Sequence, residues 1–535
     1  MDLTSFAGPF LPEIVLLAGV LLVYLLDVLK LRSNELVGSI AVAATGFALL
    51  FVVADLGFTP FALLRTLPAS SVDPTFSGGY PLYAFTSLGL VFQAIFLLAT
   101  CLVSLASLSR PREERGAPIF YGLLLLATLG MLLVAVAADL IFLLLAIEVT
   151  SLATYLLVGY TRRDSRSLEA AMKMYIIGAL STTLSFFGAS LLYGAYGTTN
   201  LYAIRAIGIL NTGAGAGSYP VLVLLGYGFL IVGLAFKATL VPFHAWAVDV
   251  YDGAPTDVTA FLAGGSKKMG LFAFFLVLLA PILFVRTVAS GSPFTTTQVA
   301  LGPVLQITLA VLAVLTMTVG NVLALLQKEM KRMLAYSSIS QAGYMLIGIT
   351  VGTAPALAGA TLQIFAHVFM KGGAFLLVAG VSAWGIGPLI DDWKGLGTRR
   401  PLAGVAFALM LLSMAGVPLT VGFVSKFVLF SAAVQAQGYF VWLAIAGLLN
   451  SALSVFYYAR VLRVMFFEQA APNPLPAGTV VGGSEPPILP AGGFGYGRAA
   501  AIGLVVIVIV AVGVYPQMVL GAVQSAAQHF VNFGA

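Results

Sequence analysis

Charge is scarce in this chain, and cysteine and histidine are scarcer still. Only 9% of the 535 residues are Asp, Glu, Lys or Arg, against 60% hydrophobic, whereas a soluble domain carries about 25% charged residues. With 26 basic and 20 acidic residues, a globule of this length could not coat its own surface, which excludes an ordinary soluble fold. The single cysteine, Cys101, lies inside an apolar run. It excludes an intramolecular disulfide and any cluster or zinc site built on several thiolates. Three histidines, His244, His367 and His529, argue against a histidine-rich metal centre or a bis-histidine haem. No P-loop and no Gly-rich dinucleotide turn is legible, so nucleotide chemistry by this chain alone is not expected. The opening residues lack the positive region of a cleavable signal, with Asp2 first and Pro12-Glu13 where the apolar segment begins. The first helix is therefore expected to direct insertion itself.

What the sequence has in abundance is apolar length. Mean hydropathy is +1.04, and a bilayer core needs roughly 20 apolar residues per helix. Spans are predicted near 11–30, 36–57, 82–108, 117–137, 139–160, 170–195, 219–243 and 257–285, then near 300–326, 333–352, 355–385, 401–430, 436–466 and 499–520. The fold class is thus an all-α polytopic membrane protein of about 14 helices, with lipid as its main solvent. The pI near 9.2 does not point to nucleic acid, because the basic residues stand at the ends of apolar runs. Loops after odd-numbered spans hold Lys30, Arg32, Arg110, Arg112, Arg115, Arg162, Arg163, Arg166, Lys328, Lys331, Arg332, Lys394, Arg399, Arg400, Arg463 and Arg498. Loops after even-numbered spans hold only Arg65, Arg205 and Arg286. Basic residues mark the cytoplasmic side, so both termini are expected on the outer face. The Pro/Gly-rich stretch 467–498 reads as a cytoplasmic loop without chemistry.

Seven basic residues remain inside the spans, and an ionisable group at the bilayer centre costs roughly 2.5–3.5 kcal/mol on insertion scales, so it normally faces the bundle interior and marks a pathway. Glu148 lies mid-span in IFLLLAIEVTSLATYLL, with Ser151 and Tyr155 on its helix face as candidate hydrogen-bond partners. Lys237 stands five residues before Pro242, and Lys426 eight residues after Pro418. Proline breaks or kinks a helix, and two broken spans in corresponding halves are the pattern of a discontinuous-helix ion site. Lysine suits a proton relay because its charge state responds to burial and to a nearby carboxylate. Lys267, in FLAGGSKKMGLF, can link the two broken spans. Lys268 is expected to point about 100° away from it and off the pathway. His367 and Lys371 are i,i+4 neighbours deep in one span, and His244 is a candidate for proton entry. Asp139 and Arg460 near span ends read as structural, and Lys173 with Glu169 reads either as a helix-surface pair or as a functional charge.

These residues also carry a family likeness. FKATLVPFHAWAVDVYDGAPTDVTAFLAGGSKKMG resembles the core of the proton-translocating antiporter-like subunits of respiratory complex I, and its DVYDGAP turn is similar to subunit N, or subunit 2. EAAMKMYIIGALSTTLSFFGASLLYGAYGTTNL, KRMLAYSSISQAGYMLIG, GVPLTVGFVSKF and FLPEIVLLAGVLLVYLLDVL resemble the same family. AHVFMKGGAF, with His367 and Lys371, is similar to the sister antiporter subunits. The resemblance implies that Glu148, Lys237, Lys267 and Lys426 are the relay residues. It implies three leading helices over 1–116, two inverted five-helix repeats at 117–285 and 300–466, the loop 467–498 and a C-terminal helix over 499–535. The expected function is a membrane-arm subunit of a complex I-type oxidoreductase, coupling quinone reduction to proton pumping in an energy-transducing membrane, most simply a prokaryotic plasma membrane. Flavin, iron–sulfur clusters and quinone would belong to partner subunits, and the partners would be sister antiporter-like and small helical subunits. The alternatives are a subunit of a multi-subunit cation/proton antiporter or membrane-bound hydrogenase, and a scaffold that has lost transport.

Overall fold

Apolar residues recur on every face of most segments, so these helices can be satisfied only by other helices or by lipid. A computed structural model describes residues 8–57, 81–108, 116–161, 164–210, 220–288, 296–469 and 495–532. Among the described residues every regular element is helical, with three isolated bridges between loops. Twelve of these helices are long and apolar enough to cross a membrane. Many leave leucine, valine and phenylalanine exposed along one side, as at Leu21, Leu156, Leu180, Val405 and Phe456, where lipid or a partner helix is the natural cover. Arg65, Arg110, Arg112, Arg115, Arg162, Arg163 and most of the loop 467–498 lie outside the described residues.

Several polar residues do the local work of starting and stopping helices. Asp139 precedes the helix Leu140–Val158, and its Oδ1 accepts from the amides of Ile141 and Phe142 at 2.8 and 3.2 Å. That satisfies two of the four orphan donors at a helix start and gives Asp139 the structural role expected of it. Arg460 donates to the carbonyls of Leu325 and Gln327 at 3.3 and 2.6 Å, closing the end of the helix Thr296–Leu326. Arg498, read from the sequence as a loop residue, is instead buried in the helix Tyr496–Val514. It pairs with Asp257 at 3.4 Å, at the start of the helix that leads to Lys267. Beyond Pro516 the chain forms a second helix, Gln517–Asn532, so the segment expected as one C-terminal helix is two.

The two proline-containing spans are broken. The helix Pro220–Ala238 stops just after Lys237, and Ala245–Gly253 resumes the course. Pro401–Ala415 stops at Gly416, and Val421–Gln435 follows. Gly416 has φ +92°, a left-handed cap that glycine adopts without penalty. Each break also holds a non-glycine residue in the left-handed region, Thr239 at +57° and Leu419 at +67°. Such residues persist only where the surrounding structure holds them. Two other helices loosen into π turns, Leu262–Ser266 just before Lys267 and Val368–Gly372 around Lys371. The two π turns pack against each other.

One helix binds these features together. Met330–Val351 is too polar to register as a span by hydropathy, yet from Ser337 to Val351 it is wholly buried. It packs along much of Thr296–Leu326, and Gly343 allows the approach. A Cβ there would sit 2.7 Å from the Met317 amide and 2.8 Å from the Ala313 carbonyl.

Candidate functional site

A polar helix wholly inside an apolar bundle must have its side chains met by other polar groups, and Met330–Val351 is met by lysines. Lys267 donates to the Ser338 carbonyl at 2.8 Å. Lys371 donates to the Ser337 hydroxyl, which in turn donates to the Leu334 carbonyl. Lys268 reaches the thioether of Met345 at 3.7 Å, and the ammonium of Lys426 stands 5.2 Å from the centre of the Tyr344 ring. Lys267, Lys268, Lys371 and Lys426 are all buried. Thus one helix forms a shared wall for four cationic side chains.

At one end of this line stands the pair expected from the sequence, in a different arrangement. Lys237 is 6% exposed, and its ammonium donates to the Ser151 hydroxyl with the Tyr155 ring 5.4 Å away. Glu148, half-buried, accepts from the Thr182 hydroxyl at 2.9 Å. No direct ion pair joins carboxylate to ammonium; Ser151, one turn along from Glu148, takes the ammonium. Ser151 and Tyr155, read as partners of Glu148, therefore serve Lys237. The reason is that Ser151 donates its own proton to the Ile147 carbonyl at 2.7 Å, which leaves its lone pairs for a donor such as an ammonium. The two charges remain in Coulombic reach.

The helix Lys267–Val288 runs against the end of the Lys237 helix, where a Cβ at Gly270 would sit 2.9 Å from that of Lys237. His244, half-buried at the start of Ala245–Gly253, is in Coulombic reach of Lys267. His367 is fully buried; its ring faces the backbone of Ala263 in the first π turn without a well-formed hydrogen bond from either nitrogen. It lies in the field of Lys267, Lys268 and Lys371, and Lys371 in turn interacts with Lys426. The sequence-predicted residues Glu148, Lys237, His244, Lys267, His367, Lys371 and Lys426 therefore form one connected series.

Lys426 ends the line at the second break. It donates to the carbonyls of Met414 and Ala415 at 2.7 and 3.3 Å and to Ser451 at 2.9 Å. Those carbonyls are the unsatisfied end of Pro401–Ala415, where the helix dipole is negative and a cation is stabilised. Beside it runs a hydrogen-bonded chain: Ser425 donates to Gln363, and Gln363 donates to Gln341 on the wall helix at 2.7 Å. A second network joins Asn321 to Asn450 at 3.1 Å and to Tyr457 at 3.0 Å. Small, hydrogen-bonding side chains in a row between buried amines are suited to passing protons, and unwound backbone at this depth is tolerated only where it lines protein or water.

Lys268 was expected to leave the pathway. It does not: the wall helix packs into the angle between the two lysines and takes both, at Ser338 and at Met345. The sequence signal was present in the doubled lysine, but only the packing of a neighbour reveals that both are used.

An ionic clasp joins the helices Ser165–Tyr196, Ala245–Gly253 and Met330–Val351. Lys173 pairs with Glu169 and Asp249, each at 2.8 Å, and Arg332 with Asp249 at 3.2 Å. Partial burial alone would raise the Asp249 carboxyl. The cations of Lys173 and Arg332 outweigh it and hold the group below its ordinary value. The surface pair read at Glu169–Lys173 is thus part of a larger clasp. Among the described residues no group of three or more His, Cys, Asp or Glu side chains is placed to hold a metal.

The chain is similar to known proteins in sequence and in fold. The family described as NADH:quinone oxidoreductase/Mrp antiporter, TM, matches residues 137–454. The chain is 41% identical over 467 residues to F(420)H(2) dehydrogenase subunit N of Methanosarcina mazei, covering 85% of this chain and 88% of that one. It is 42% identical over 379 residues to NADH-quinone oxidoreductase subunit N of Trichlorobacter lovleyi, covering 70% and 73%. Among solved structures it is similar to a chain of respiratory complex I from Thermus thermophilus, with a TM-score of 0.71 and 29% identity over 95% of this chain and 98% of that one. A chain of the Mrp complex from Dietzia sp. shares the fold at a TM-score of 0.78 and 22% identity, with 100% of both chains covered. With its broken spans, its buried lysines and these matches in hand, the chain belongs to the NADH:quinone oxidoreductase/Mrp antiporter transmembrane family.

Proposed function

We propose that this chain is a membrane-arm, proton-translocating subunit of a complex I-type oxidoreductase, which couples electron transfer from a reduced donor to quinone with proton pumping. The observation that carries this reading is the line of buried lysines on one polar wall, running from the first broken span to the second. Protons enter near His244, pass Lys237 and Lys267, and leave by Lys426. Lys371 and His367 lie between the last two. Glu148 gates the first step through its field on Lys237, with Ser151 holding the ammonium between transfers. Each transfer moves one proton from an ammonium to a neighbouring base through hydroxyls and internal water, which the amides orient, so only N–H and O–H bonds change.

The remaining sequence readings belong to the same proposal. Residues 117–285 and 300–466 form two inverted five-helix repeats. The correspondence of broken spans, π turns and lysines in the two halves supports this. Flavin and iron–sulfur chemistry lies in partner subunits, and the exposed apolar faces meet lipid, sister antiporter-like subunits and small helical subunits. The complex resides in the plasma membrane of a prokaryote, with both termini outside and the clasp around Asp249 on the cytoplasmic face. Purification of the complex from membranes, followed by subunit mass spectrometry and quinone reduction in sealed vesicles, tests the reading. Co-purifying flavin and iron–sulfur subunits with quinone-linked acidification are expected; an assembly without redox subunits that exchanges cations for protons would overturn it.

A further inference from the structure

The relay as proposed uses one lysine of the doublet, yet both are buried on the same wall. Lys268 is 0% exposed and among the largest fully buried side chains of the protein. Its ammonium donates to a thioether, Met345 Sδ at 3.7 Å, a weak acceptor compared with oxygen. A lysine kept for structure would be expected to meet a carboxylate, as Lys173 meets Glu169 and Asp249. The charges in its field are instead other bases: Lys267, Lys371 and His367. Four basic groups in one buried pocket, with no carboxylate bonded to any of them, repel one another when charged. Mutual repulsion of this kind favours handing a proton on to the next base.

The placement gives direction. Lys267 touches the wall at Ser338 and Lys268 at Met345, seven residues further, so the two neighbouring amines contact points about 10 Å apart along the wall helix at 1.5 Å rise per residue. Gln341 lies between those two points, its Nε2 buried beside Tyr458 without a well-formed hydrogen bond, while its Oε1 accepts from Gln363, which accepts from Ser425, the residue before Lys426. Met345 also adjoins Tyr344, whose ring faces Lys426. We infer that Lys268 is a proton carrier in its own right: it receives the proton from Lys267 and passes it toward Lys426 through internal water, which the side chains of Gln341, Gln363 and Ser425 orient.

This inference rests on the proton-translocation reading, and the test separates the two. The whole complex is reconstituted in liposomes, and protons moved per electron are measured for Lys268→Arg, Lys268→Met, Gln341→Leu and, as references, Lys267→Met and Lys426→Met. Arginine keeps the charge and most of the bulk but does not release its proton. A structural lysine is therefore rescued by Lys268→Arg, whereas a carrier is not. At least a tenfold fall in pumping is expected for Lys268→Arg and Gln341→Leu, with assembly unchanged on native gels. Lys268→Met should match them where it assembles. Pumping within twofold of the parent complex in Lys268→Arg and Gln341→Leu, with the two reference variants inactive, overturns the role of Lys268 and leaves the relay standing. Normal pumping in the reference variants as well would instead sink the relay reading itself.

Discussion

Replacing Glu148 by Gln keeps the shape of the side chain and its bond from Thr182 but removes the charge that acts on Lys237. Side chains three apart on a helix are about 5–6 Å apart, so the Glu148 carboxylate and an ammonium held at Ser151 are separated by roughly 7 Å. At an effective dielectric of about 20, two unit charges at that distance interact by about 2 kcal/mol. Loss of that interaction at the gating step corresponds to roughly a thirtyfold slower transfer, since about 1.4 kcal/mol is tenfold. Glu148→Asp keeps the charge on a shorter arm and should retain a substantial part of the rate. Ser151→Ala should resemble the Gln variant, because it removes the hydroxyl that holds the ammonium. The assay is acidification of sealed vesicles driven by quinone reduction, with the uncoupled electron-transfer rate as reference. Equal pumping by the Gln and Asp variants would refute the reasoning, since the charge could then play no part.

Three further outcomes follow from the same geometry. Gly343→Leu should destabilise the complex by about 1–3 kcal/mol or more, as overpacking does, because the added side chain meets Met317 and the Ala313 carbonyl; thermal unfolding in detergent measures this. The clasp at Asp249 contributes stability that is present above the ordinary aspartate value of 3.8 and is lost as pH falls through the lowered value of the folded protein. Asp249→Asn should remove that acid-dependent part of the melting profile and leave the neutral-pH activity within a few-fold. A tag added after Ala535 should be accessible to protease from the outer face only; access from the cytoplasmic side alone would contradict the orientation.

Much of this site could be read from the residues, for physical reasons that differ by element. Lys237 and Lys426 stood out because charge in an apolar span is costly and because Pro242 and Pro418 mark where each helix must stop. Asp139 and the Glu169–Lys173 pair followed from helix-end chemistry and from i,i+4 spacing. What escaped was set by packing between segments far apart in sequence. The doublet at Lys267 and Lys268 was separated by helical geometry, yet Met330–Val351 packs so that both reach it. The hydroxyl of Ser151 was assigned to its own helix and instead serves Lys237 from another. Met330–Val351 falls short of a span by hydropathy, and its role as the common wall depends on which helices surround it.

The most direct test of the central claim is the number of protons moved per electron in liposomes holding the complex with Lys426→Met. The line of amines ends at Lys426, where three oxygens hold the ammonium, and methionine offers no proton site there. An assembled complex whose pumping falls at least tenfold is the predicted result. An unchanged proton-to-electron ratio and rate would contradict the claim that protons cross the membrane through this chain.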